Sequence, residues 1–96
     1  FFIDSNHNVL IRSKNILMRV VKEFIQEDIR ISMFSWNNKY ILKFELGPME
    51  QTFKIPETDV LAEEDLEIFW TGDFFEKVKA RFKEMGQSFR AEVENL

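Results

Sequence analysis

Cysteine is absent from this chain of 96 residues. That excludes a disulfide framework and a thiolate zinc site. Histidine occurs once, as His7 between Asn6 and Asn8, and a lone imidazole in a turn-like stretch is a poor metal ligand. Only 3 Gly and 2 Pro are present, leaving no glycine-rich phosphate loop, nucleophile elbow or flexible linker. General acid–base chemistry needs a positioned titratable group in a cleft, and no carboxylate pair stands out. The acidic run Glu57, Asp59, Glu63, Glu64, Asp65, Glu67 lacks the spacing and the turn glycine of a calcium loop. It reads as a solvated connection. The expectation is a non-enzyme with no catalytic residue, no metal and no cofactor.

Long apolar runs are missing too. None approaches the roughly 20 residues of a spanning helix. The opening FFIDSNHNVLIRSK has neither the basic start nor the apolar centre of a signal peptide. A cytoplasmic location with no membrane partner is the matching expectation. Charge is unevenly placed: 8 Lys/Arg and 6 Asp/Glu precede position 57, against 5 and 11 from there on. The overall charge of −4 disfavours general affinity for nucleic acid but leaves room for a local basic face.

What the chain has in abundance is phenylalanine, 11 residues within a composition that is 45% hydrophobic. Each ring buries roughly 150–250 Å². One small core does not need them all, so some are expected at an interface. The length suits a single domain over 1–96. Residues 1–17 read either as a short hairpin (FFID, a turn at SNHN, VLIR) or as an extension ahead of a start at Met18.

Apolar positions 16, 17, 20, 21, 24 and 25 fall on one face of a 3.6-residue repeat, predicting a helix over 15–27. Strands are predicted at 29–36, 39–46 and 50–55. Asn37-Asn38 suits a two-residue hairpin turn, Gly47-Pro48 breaks the second strand, and Pro56 ends the third. Period two puts Ile29, Ile31, Met33, Tyr40, Leu42, Phe44, Leu46, Gln51, Phe53 and Ile55 on a core face. It puts Arg30, Ser32, Phe34, Trp36, Lys39, Ile41, Lys43, Glu45, Glu50, Thr52 and Lys54 on the other. A short helix around 63–69 and a long one from Thr71 or Asp73 to Glu94 follow. Its stripe Phe75, Val78, Phe82, Met85, Phe89 alternates steps of three and four, the seam of a helix contact. Gly86 is a place for a bend. The expected fold is α+β in two layers: helix, three-stranded antiparallel meander, C-terminal helix.

The stretch SWNNKYILKFELGPMEQTFK, followed by an acidic connection and FFEKVKARFKEM, resembles small bacterial proteins of the Bacteroidetes type. That resemblance covers 18 to about 90 and implies no activity. The strands and last helix are also loosely similar to whirly-type single-strand-binding folds. Those have four strands and a strongly basic character, which this acidic chain does not share, so no functional residue carries over.

The second sheet face is the candidate site. Phe34, Trp36 and Ile41 sit there among Arg30, Lys43 and Lys54. The leading expectation is a homodimer that covers this face and uses the helix stripe Phe75, Val78, Phe82, Met85, Phe89. Aromatics among cations also stack bases and meet phosphates, so a single-strand nucleic-acid module is the alternative. An adaptor docking another protein is the third.

Overall fold

The structure is a computed structural model. It describes the backbone of residues 2–3, 8–11 and 16–96, and side chains from position 18 onward. His7 and the turn of the expected first hairpin lie outside the described residues. Six strands run in chain order across one antiparallel sheet: β1 (Phe2–Ile3), β2 (Asn8–Ile11), β3 (Ile16–Gln26), β4 (Ile29–Trp36), β5 (Lys39–Leu46) and β6 (Met49–Pro56). The short pair β1–β2 is antiparallel, with Phe2 opposite Leu10, in keeping with the expected hairpin. Four long strands, β3 to β6, make the body of the sheet.

The expected helix over 15–27 is strand β3. Its apolar pairs fit a helical face, but a β-bulge explains them equally well. Register jumps between Val20, opposite Phe34, and Lys22, opposite Met33. The extra residue, Val21, shifts the alternation by one. Apolar residues therefore reach both faces of the strand and mimic the i, i+1, i+4, i+5 spacing. Four of the six apolar residues are β-branched, which suits a strand.

Three two-residue turns join the long strands, ten residues apart. Glu27 and Asp28 adopt φ of 49° and 67°, Asn37 and Asn38 φ of 51° and 62°. Paired positive φ values are those of a type I′ turn, whose twist matches the strands. Gly47 has φ 58° ahead of Pro48, as the first central position of a type II′ turn requires.

After Pro56 the chain makes short 3₁₀ turns at Glu57–Asp59 and Glu63–Glu67, then helix α1 (Ile68–Thr71) and helix α2 (Asp73–Val93). The helix is not broken at Gly86; α2 is one helix of 21 residues. A Cβ at Gly86 would meet only Met49, at 3.5 Å, so the position is neither strained nor crowded.

Both helices pack on one face of the sheet. Ile29, Ile31, Met33, Tyr40, Leu42 and Phe44 are buried against Leu66, Trp70, Phe75, Val78 and Phe82. Phe44 is fully buried, with ring centroids 6.2 Å from Phe53, 6.1 Å from Phe74 and 6.2 Å from Phe75. Aromatic pairs of this kind contribute about 0.5–1.5 kcal/mol beyond area burial. Two polar contacts seal the layers. Gln26 Nε2 donates to the Trp70 carbonyl at 2.7 Å, and Gln51 Nε2 to the Val78 carbonyl at 3.0 Å. The smallest dimension, 21 Å, equals one sheet and one helix layer. No described helix packs on the other sheet face.

Candidate interaction face of the sheet

Cross-strand register arranges the open face in rows. Ile25, Arg30, Glu45 and Glu50 form the row nearest the Gly47 turn. Glu23, Ser32, Lys43 and Thr52 form the next. Val20, Phe34, Ile41 and Lys54 form the third. Trp36 and Lys39 pair beyond it, with Pro56 alongside. Every β4, β5 and β6 residue assigned to this face by period two is here.

The apolar part is contiguous. Val20, Phe34 and Ile41 lie side by side, and Trp36 is two residues along β4 from Phe34. All four are half-buried, whereas Ile25 is 70% exposed. Trp36 Nε1 is shut from solvent yet has no acceptor among the described residues. A buried indole N–H without a partner costs on the order of 1–3 kcal/mol. Lys39 Nζ lies 5.3 Å from the Trp36 ring centroid, within reach of its π face.

The cations are less available than their positions on the sequence imply. Arg30 Nη2 is 3.1 Å from Glu23 Oε1. Lys43 Nζ is 3.4 Å from Glu50 Oε1 and 3.8 Å from Glu45 Oε1. Surface pairs like these add at most about 1 kcal/mol of stability, but a phosphate would have to displace the carboxylates. Among the described residues, Lys39 and Lys54 have no ion pair. They lie at one end of the face, and Glu23, Glu45 and Glu50 lie toward the other.

Sequence reasoning missed Val20, Glu23 and Ile25, because β3 read as a helix. The ten-residue recurrence of turns at 27, 37 and 47 was the available signal. The structure also separates the two halves of the expected interface. Phe75, Val78 and Phe82, at 3%, 0% and 2% exposure, belong to the chain's own core. Met85 is partly buried against that core, and Phe89 is 52% exposed. The stripe therefore lies on the far side of the sheet from Phe34 and Trp36.

On the helix side, Tyr40 Oη donates to Glu63 Oε1 at 3.4 Å, and Arg19 pairs with the same carboxylate. Burial, then the Glu63 and Glu57 carboxylates, push the Tyr40 hydroxyl above its ordinary value of 10.0. No group of His, Cys, Asp and Glu side chains suited to a metal occurs among the described residues. No described helix is long and apolar enough to cross a membrane. Comparison with protein-family models, with curated proteins and with solved structures finds no match.

Proposed function

We propose that this protein is a small non-catalytic self-association module, a homodimer formed through the open face of its sheet. The observation that carries the reading is the half-buried apolar row Val20, Phe34, Ile41, extended by Trp36, on a face that no described helix covers. Antiparallel sheets tolerate one solvated face, but that face is normally polar.

Charge favours a second copy as the cover. The face holds Arg30, Lys39, Lys43 and Lys54 against Glu23, Glu45 and Glu50, so it is close to neutral. Its basic end (Lys39, Lys54) and its acidic end (Glu45, Glu50) would meet under a two-fold rotation, the symmetry of an isologous dimer. A polyanion would instead gain from a uniformly basic face. The eight-residue strands β4, β5 and β6 with the stretch of β3 paired to β4 give a flat footprint of about 500 Å². That is below the roughly 800 Å² per partner of a standard interface, so micromolar dissociation is expected.

Light scattering from low to high micromolar protein tests this. The sheet-face contact is expected to resist salt and to be lost on Phe34→Glu. A wild-type monomer at high micromolar concentration overturns it. The nucleic-acid alternative replaces it if a single-stranded oligonucleotide binds at low salt, releases steeply as salt rises, and no longer binds Trp36→Ala.

A further inference from the structure

Helix α2 is longer than the sheet it covers. It runs antiparallel to β6: Phe53 meets Phe74, with centroids at 5.1 Å. Gln51 reaches the Val78 carbonyl, and Met49 lies beside Gly86. Met49 is the first residue of β6. Beyond Gly86 the helix has passed the end of that strand. Phe89 continues the buried stripe of Phe75, Val78 and Phe82 at helical spacing, yet it is 52% exposed, and Val93 is 45% exposed. The overhang amounts to about 12 Å of helix.

Beside it runs a groove of about 590 Å³ between α2 and β6, lined by Gln51, Arg81, Glu84, Met85, Ser88, Phe89 and Glu92. Gln51 is 9% exposed, and its Oε1 is buried with no donor among the described residues.

We infer that this overhang is a second self-association surface, separate from the sheet face, on which α2 of another copy lies antiparallel. The order of charges along the helix selects that occupant. Arg81 and Glu92 mark the two ends of the groove, with Glu84 between them; neither Arg81 nor Glu92 has an ion pair among the described residues, and Arg81 Cζ lies 5.8 Å from the Phe74 ring centroid. In an antiparallel two-fold pairing centred between Met85 and Ser88, Arg81 faces Glu92 of the partner subunit, and the contact repeats by symmetry. Met85 and Phe89 fill the middle. Arg81 and Glu92 are eleven residues apart, about 16 Å along the helix, so one pairing satisfies both ends. Two isologous surfaces on opposite sides of a chain build a four-chain assembly or a longer array.

The test is charge exchange, read by light scattering across the micromolar range. Phe34→Glu removes the sheet contact and is expected to leave a dimer. Adding Arg81→Glu or Glu92→Arg to that variant should weaken the remaining dimer about tenfold. Adding both together should restore it. Phe89→Glu alone should reduce the wild-type assembly to a dimer. A Phe34→Glu protein that is monomeric throughout overturns the inference, as does a charge exchange that rescues nothing. A wild-type dimer lost on Phe89→Glu but kept on Phe34→Glu supports this surface and overturns the sheet-face reading instead.

Discussion

Asp28 occupies the second place of its hairpin turn at φ 67°, a region that costs an L residue with a Cβ about 1–2 kcal/mol. Asn37 and Asn38 bear the same conformation more easily, because asparagine tolerates it. Glycine at position 28 would remove the Cβ clash but give back part of the gain as unfolded-state entropy. Asp28→Gly is expected to stabilise the fold by about 0.5–1 kcal/mol, checked by denaturant midpoint. Glu27 should be left alone, since its carboxylate holds Lys79 Nζ at 3.2 Å. Tyr40 sets a pH limit. Burial and the nearby Glu63 and Glu57 favour its neutral form in the fold. The unfolded tyrosine ionises first as pH rises, so the unfolded state then binds fewer protons and stability falls. Stability should be independent of Tyr40 below pH 10.0 and decline above it. Tyr40→Phe should flatten that decline, read as the pH dependence of the midpoint.

At the scale of elements, α2 carries an uncompensated weakness in Gly86. Glycine inside a helix costs roughly 1 kcal/mol relative to alanine, and a Cβ here finds only ordinary contact with Met49. Gly86→Ala should raise stability by about 0.5–1 kcal/mol and leave the fold unchanged. The helix continues through Gly86, with Val78 and Phe82 before it locked into the core. Strand β3 shows the opposite balance. Its local pattern fits a helix, but Gln26–Ile29 is closed by a tight turn and its backbone is claimed by β4 along most of its length. Lys79 then ties the β3–β4 turn to α2 through Glu27, with Glu76 beside it. Glu76 first, then Glu27, raise the Lys79 ammonium above its ordinary 10.5. This tie is present below that value and is lost as pH climbs through the raised one.

At the scale of the molecule, two layers leave two surfaces unfinished. The sheet face has a half-buried apolar row that no described helix covers, and the end of α2 extends past β6. The phenylalanines divide accordingly. Phe24, Phe44, Phe53, Phe69, Phe74, Phe75 and Phe82 serve the core, while Phe34 and Phe89 lie outside it. Replacing Ile41 by Lys on the sheet face should weaken the dimer without lowering the stability of the monomer by more than about 1 kcal/mol. Sedimentation equilibrium beside thermal melting separates the two effects.

Period two and turn chemistry were enough to place β4, β5 and β6, to sort their side chains between the two faces, and to start α2 near Asp73. These are local properties: alternation follows from the pleat, and positive φ selects Asn and Gly. The bulge at Val21, the identity of β3 and the division of the α2 stripe were decided by tertiary structure. A bulge exists only relative to a neighbouring strand. Whether a helical residue is core or surface depends on where the sheet beneath it ends, and β6 begins at Met49, opposite Gly86.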